Sequence, residues 1–164
     1  MNRVLFDMDN VLVDFDGYAR RLGLSGQVVK TLPGAYRAMA PLPGALDAVR
    51  TVEAIGFEAW IASKPPQGFS HAYAEKADWV HEYLPHLSGR LILTPDKGLL
   101  GDEDDVLVDD RPHAANCHAF RGLLIPFEGG TGWPEVLRIL RSIRARRRAS
   151  PSARRAGNRP TAAT

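Results

Sequence analysis

At 164 residues and 45% hydrophobic composition the chain suits one domain with a real core, and its net charge of +2 conceals an uneven distribution. Eight arginines and no acid lie from Arg141 onward, which leaves 13 basic against 19 acidic residues in the body. A body this acidic excludes an obvious nucleic-acid surface, a single cysteine (Cys117) excludes an intrachain disulfide, and no apolar stretch approaches the roughly 20 residues needed to span a bilayer. Asp7 arrives before any apolar leader, so the expectation is no secretory signal, no membrane partner and a reduced, cytoplasmic setting.

Val4-Leu5-Phe6 has the length and bias of a buried strand, and it stops at two aspartates one residue apart, Asp7 and Asp9. Residues 16–41 form a mixed, weakly helical insertion. Pro43-Gly44 then opens a helix running to about Ile55, with Leu46, Val49 and Val52 on one face, and Gly56 ends it. Phe57–Ala62 reads as a second strand, followed by Ser63-Lys64-Pro65-Pro66. A helix over about Ala72–Leu84 carries Trp79, Val80 and Tyr83 on its apolar face. Arg90–Leu93 is a third strand, ending near Lys97; Asp105–Val108 is a fourth, ending at Asp109-Asp110; Leu123–Phe127 is a fifth. A Gly-rich turn at 129–132 precedes a closing amphipathic helix over about Trp133–Ile143. Alternating strands and helices predict an α/β, Rossmann-like core of about five parallel strands flanked by helices, with a small cap inserted after the first strand. The expected boundaries are a domain over 1–143, with the cap at 16–41, and an Arg-rich, disordered tail over 144–164.

In a parallel sheet all strand C-termini lie along one edge, so Asp7, Asp9, Ser63, Lys64, Lys97, Asp109 and Asp110 are brought to one crevice. Neighbouring carboxylates repel unless a cation or a shared proton intervenes, and hard oxygen donors suit Mg²⁺. A lysine and a hydroxyl beside them suit phosphoryl oxygens. Together these are the parts for phosphoryl transfer through an aspartyl-phosphate. Singly, each has a plainer reading: a turn for Ser63, a solvated lysine for Lys64 or Lys97, and a helix cap for Asp109-Asp110. Their order across four strands is what the plain readings leave unexplained.

That order resembles the haloacid dehalogenase-like superfamily of phosphohydrolases. Asp7-Met8-Asp9-Asn10-Val11 matches its Asp-x-Asp-x-[Thr/Val] motif, Ser63 its hydroxyl motif, Lys97 its lysine and Asp109-Asp110 its acidic pair. The stretches 7–15, 41–50, 75–80, 93–97 and 106–112, and more loosely 132–137, are similar to the 5′(3′)-deoxyribonucleotidase branch. The resemblance implies Asp7 as nucleophile, with Asp9 as acid and then base. It implies Mg²⁺ held by Asp7, the Asp9 backbone carbonyl and one of Asp109 or Asp110. Ser63 and Lys97 bind the phosphoryl oxygens, and Phe15 packs on the base. A nucleoside monophosphate is then the expected small phosphorylated substrate.

Three departures from the branch stand out. Asn10 replaces a usual glycine, which Asn tolerates because it accepts positive φ. Lys64 stands where a small residue is usual, and is expected to supply a shifted phosphate-binding charge. The insertion is only about 26 residues, a small, open cap, so Tyr36 and Tyr18, with Phe15, are candidates for substrate contact, against the plainer reading of aromatics that fill the cap's own core. The acidic loop 101–105 reads as a solvated turn, with a second cation site weakly signalled. Two other functions stay open on sequence alone. One is a phosphatase for another small phosphoester such as a sugar phosphate. The other is a non-catalytic module whose basic tail contacts nucleic acid, against the plainer view of a solubilising tail.

Overall fold

The computed structural model describes residues 2–127 and 132–149. Its centre is a five-stranded sheet in the order β3-β2-β1-β4-β5, parallel throughout. The strands are β1 (Arg3–Phe6), β2 (Glu58–Ser63), β3 (Leu91–Leu93), β4 (Val106–Asp109) and β5 (Leu123–Pro126). The helices are α1 (Phe15–Leu22), α2 (Gly26–Val29), α3 (Ala35–Ala38), α4 (Ala45–Ile55), α5 (Ser70–Tyr83) and α6 (Trp133–Ala149). Chain order runs outward from β1 to β2 and β3, then crosses back to β4 and β5. The switch in direction therefore falls between β1 and β4, where an open α/β sheet opens its crevice.

Side-chain alternation along the strands sorts the core onto two faces. Val4 and Phe6, Ala59 and Ile61, and Val106 and Val108 belong to one large buried cluster with α4, α5, α6 and the cap. Leu5, Ala62 and Leu107 face the other way into a smaller cluster with Cys117 and Phe120. The expected parallel sheet flanked by helices is thus present, with α4, α5 and α6 packed on the larger cluster. The smaller cluster on the second face is covered by Leu100, Ala115, Cys117 and Phe120 from the β3–β4 and β4–β5 connections, which carry the 3₁₀ turns Lys97–Leu99 and Cys117–Ala119.

The cap is three short helices. Asp14 caps α1 by accepting from the Gly17 amide at 3.0 Å. On α5 the buried positions are Ala72, Glu75, Lys76, Trp79 and Val80, the i, i+3, i+4 pattern of one helical face. Two of those five are charged, and each ties the helix to something. Glu75 accepts from the amides of Gly34 (2.6 Å) and Tyr36 (3.2 Å), which anchors the start of α3. Lys76 reaches the crevice.

The closing helix runs past the end expected near Ile143. It continues to Ala149. Arginine is a good helix former, and the Arg147 guanidinium donates to the Asp104 carbonyl at 2.8 Å. Arg144 lies against Gly56, whose φ of 101° ends α4 and whose missing Cβ leaves room for the guanidinium. The remainder of the expected tail, 150–164, and all but Gly132 of the Gly-rich turn fall outside the described residues.

The acidic loop is a turn with Asp102 and Glu103 exposed, as expected, but its last acid turns inward. Asp105 is buried and accepts from the Arg3 amide and guanidinium and from the Asp102 amide, while Asp102 pairs with Arg3 and Arg121. Burial opposes ionisation of Asp105, but those donors hold its carboxyl below the usual range. Among the described residues no helix is long and apolar enough to cross a membrane.

Candidate active site

β1 delivers Asp7 to the crevice, and the Asp7 amide donates to the Val108 carbonyl of β4 at 2.9 Å. This keeps the two strand ends in step. The following turn is built on Asn10, at a φ of 57°. Its side chain accepts from the Asp16 amide at 3.0 Å and donates to Asp110 Oδ2 at 3.1 Å, linking the first motif, the cap and the end of β4. Asparagine therefore does more here than permit the turn.

Lys97, 2% exposed, stands between two carboxylates: its Nζ lies 2.7 Å from Asp7 Oδ1 and 2.5 Å from Asp109 Oδ2. Its position comes from a small network. Asp96 accepts from the Gly98 amide (2.9 Å) and the Asn116 amide nitrogen (3.0 Å), and the Lys97 amide donates to the Ala115 carbonyl at 2.7 Å. Asp109 also accepts from the Arg111 amide at 2.8 Å and from the Cys117 thiol at 3.4 Å.

Carboxylate oxygens of Asp7, Asp109 and Asp110 all lie within 4.8 Å of one another. Asp110 Oδ1 is buried and has no hydrogen-bond partner. An orphaned buried oxygen is costly unless a ligand or ion satisfies it. The titration pattern agrees with an excess of negative charge. Burial would push Asp7 up, but Lys97 and Lys76 hold it below the usual carboxylate range. Burial and the Asp7 charge push Asp109 up against Lys97, and push Asp110 to about 7 against its bond from Asn10. Burial, ahead of the Asp109 charge, raises the Cys117 thiol to about 12, so it is a packed thiol and not a nucleophile.

Asp9 has a partner that sequence reasoning missed. Lys76, 0% exposed on the inner face of α5, donates to Asp9 Oδ1 at 2.6 Å, and its ammonium lies 4.2 Å from the centroid of the Tyr36 ring. The signal was present in the spacing: Lys76 lies four residues after Ala72 and three before Trp79, on the buried face. Tyr36 is 1% exposed and lines neither cavity described below; its ring backs Lys76 and packs 6.2 Å from Phe15. The structure thus puts Tyr36 behind the site, not on its substrate-facing surface, because its ring is taken up between Lys76 and Phe15.

Two adjoining cavities of about 360 Å³ each open beside the carboxylates. One is walled by Asp9, Asn10, Phe15 and Asp110, so Phe15 faces the space next to the acids. The other is walled by Lys64, Pro65, Pro66 and Phe69. Gln27, Lys30 and Arg111 line both. Lys64 therefore lies on the cavity away from Asp9 and Asp110. Ser63 is buried at the end of β2, two residues beyond Ile61, the register partner of Phe6, which places it level with the turn after Asp7.

Comparison with known proteins is consistent with this geometry. The family model described as 5′ nucleotidase, deoxy (Pyrimidine), cytosolic type C protein matches residues 27–134. A human protein named 5′(3′)-deoxyribonucleotidase, cytosolic type, is 33% identical over 144 residues, covering 66% of this chain and 70% of that protein. A Bordetella bronchiseptica protein provisionally named 5′(3′)-deoxyribonucleotidase is 40% identical over 98 residues, 59% of this chain and 52% of that one. The chain thus spans about half the length of the Bordetella relatives it matches. Among solved structures, a haloacid dehalogenase-like family hydrolase from Xanthomonas campestris superposes with a TM-score of 0.58 at 14% identity, over 90% of this chain and 94% of that chain.

Proposed function

The chain belongs to the 5′ nucleotidase, deoxy (Pyrimidine), cytosolic type C family, and we propose from this that it hydrolyses nucleoside monophosphates, deoxyribonucleotides foremost, as a Mg²⁺-dependent phosphomonoesterase. The observation that carries the reading is the pairing of two aspartates with two buried lysines, Asp7 with Lys97 and Asp9 with Lys76, at the β1–β4 switch point.

Asp7, kept ionised beside Lys97, attacks phosphorus: a carboxylate oxygen forms the new bond to phosphorus as the ester bond breaks. Asp9 gives its proton to the departing ester oxygen, then takes one from the water that opens the aspartyl-phosphate. Lys76 orients Asp9 through Oδ1, and Asn10 keeps the first-motif turn against Asp110. Lys97 and the Ser63 hydroxyl bind phosphoryl oxygens, and Phe15 offers its ring to the base. The carboxylates of Asp7, Asp109 and Asp110, one of them with an unsatisfied buried oxygen, fit a hard cation, with the Asp9 backbone carbonyl completing the protein's donors. When bound, Mg²⁺ would offset the charge gathered on the phosphoryl group and the carboxylates. The cytosolic-type human relative supports a cytoplasmic setting.

The test is phosphate release from a panel of nucleoside monophosphates and sugar phosphates, with Mg²⁺, with EDTA, and for Asp7→Asn. Release from deoxyribonucleotides that needs both Mg²⁺ and Asp7 is expected. Turnover of sugar phosphates alone would discard the nucleotide while keeping the chemistry, and release that survives Asp7→Asn would discard the chemistry.

A further inference from the structure

Outside the carboxylate cluster, the most anomalous feature is the charge of the neighbouring cavity. The body of this chain is acidic, yet the cavity walled by Lys64, Pro65, Pro66 and Phe69 has three cationic side chains, Lys30, Lys64 and Arg111, and no acid in its lining. Among the described residues none of the three has an acidic partner within 4.0 Å. Lys30 and Arg111 also border the cavity that holds Asp9 and Asp110, so the cations begin where the acids end. The Lys30 ammonium lies over the Phe15 ring at 5.4 Å. Burial, then the nearby Arg111 charge, holds its pKa below the ordinary lysine value against the opposing pull of Asp9 and Asp110. Asp9 and Asp110 act on these cations only from the neighbouring cavity, so an anion on the Lys64 side meets three positive groups and no carboxylate in the lining.

We propose that this cavity binds a second phosphate of the substrate, so that the preferred ligands are nucleoside 3′,5′-bisphosphates. The phosphate to be cleaved sits at Asp7, and Lys30, Lys64 and Arg111 hold the one that stays. The inference rests on the phosphomonoesterase reading and sharpens it. A phosphate is the anion that matches this wall: guanidinium presents a planar fork to its oxygens, and two ammonium groups add point charges. The two cavities adjoin through Gln27, Lys30 and Arg111, which leaves the nucleoside to bridge them, with Phe15 on one side and Pro65, Pro66 and Phe69 on the other. It also gives Lys64 a role that suits its place, on the cavity remote from Asp9 and Asp110. The short cap leaves the trough open along its length.

The experiment uses the full chain carrying Asp7→Asn, which blocks turnover, and titrates it calorimetrically with the 5′-monophosphate and the 3′,5′-bisphosphate of one deoxynucleoside. The bisphosphate is expected to bind at least about tenfold tighter, or on the order of 1.4 kcal/mol. Lys30→Gln with Arg111→Gln is expected to bring that ratio close to one. Should the double variant not fold, Lys64→Gln, at an exposed side chain, reads the same ratio. Equal affinities in the parent, or a tenfold ratio that survives in folded variants, would overturn the proposal. Tighter binding of a single-stranded 5′-phosphorylated oligonucleotide than of the bisphosphate would overturn the small-ligand assignment. Phosphate release by the wild-type chain is measured separately: release from monophosphates with no bisphosphate preference removes this inference alone. No release from any phosphoester, with the affinity ratio intact, removes the hydrolase reading and leaves the anion site.

Discussion

Replacing Lys97 by Met keeps the length of the side chain and removes its charge from between Asp7 and Asp109. In the parent, the ammonium lies 2.7 Å from one carboxylate and 2.5 Å from the other, nearly shielded from solvent. At about 4 Å and an effective dielectric near 20, each contact is worth roughly 4 kcal/mol of Coulomb attraction, most of it offset by the desolvation of all three groups. The bridge itself thus contributes little net stability. Its removal is another matter, because two buried carboxylates are left facing each other without compensation, which costs about 3–5 kcal/mol. For a chain of this size, 1 kcal/mol moves the melting temperature by about 2–4 °C, so Lys97→Met is expected to melt roughly 6–20 °C below the parent in EDTA. Millimolar Mg²⁺ should narrow the gap, since a divalent cation restores positive charge to the same carboxylates. Thermal unfolding followed by circular dichroism, with and without Mg²⁺, reads both effects. A variant melting within 2 °C of the parent in EDTA would refute the idea that Lys97 holds these carboxylates together.

Lys76→Met should retain its fold, with the methionine against Tyr36, but lower kcat for any hydrolysed nucleotide by about 10²–10⁴ with a smaller change in KM; a loss in KM alone would show that Lys76 does not serve Asp9. Asp105→Asn tests the paired acidic loop. The folded carboxyl of Asp105 is held below its unfolded value, so its stabilisation is present above about pH 4 and is lost as pH falls through the lowered folded value. Asp105→Asn is therefore expected to cost about 1–3 kcal/mol at pH 7, with the difference from the parent shrinking towards pH 2 in chemical denaturation series. A difference that does not change with pH would contradict the ion-pair account. Trp79→Ala removes a fully buried side chain whose Nε1 donates to the Met39 carbonyl at 2.9 Å, tying α5 to the end of the cap. It is expected to lower unfolding free energy by about 3–5 kcal/mol, and a loss under 1 kcal/mol would mean the cap is not anchored there.

Residues at strand ends were legible because topology dictates their place. Once β1, β2 and β4 are read as parallel, Asp7, Ser63 and Asp109 must share an edge, and the five strands fall within about two residues of where hydrophobic runs put them. What sequence left hidden was the inward turn of charged side chains. Lys76 and Glu75 sit in a helix whose polar residues are otherwise read as solvated, and only their positions between Ala72 and Trp79 betray them. Asp105 was hidden in the same way among four acids of one loop. Arg144 and Arg147 looked like part of a disordered tail because composition carries no information about which acids and carbonyls lie within reach. Tyr36 took the plainer of its two readings: an aromatic in a small cap has more apolar surface to cover within the cap than in the cleft. The cationic wall of Lys30, Lys64 and Arg111 draws on a cap helix, the β2 exit and the β4 exit, far apart in sequence. No local pattern could reveal it.

The pairing of acids with lysines explains how so acidic an edge can fold before any cation arrives. Asp7 and Asp9 are two residues apart, yet their lysines come from different crossovers, Lys97 from the segment after β3 and Lys76 from α5 after β2. Each of the two carboxylates assigned chemistry is thereby neutralised within the chain and oriented by a buried ammonium. The uncompensated charge is displaced onto Asp110, whose Oδ1 lacks a partner and whose pKa rises to about 7 chiefly through burial and then the Asp7 charge. The proposed cation would meet there an acid with little else to bind, while the Asp7–Lys97 and Asp9–Lys76 pairs keep the other two carboxylates in place. Asp7 belongs to both groupings, paired with Lys97 and clustered with Asp109 and Asp110, so the proposed cation and the proposed nucleophile share that carboxylate, and Lys97 limits the charge it carries into the cluster.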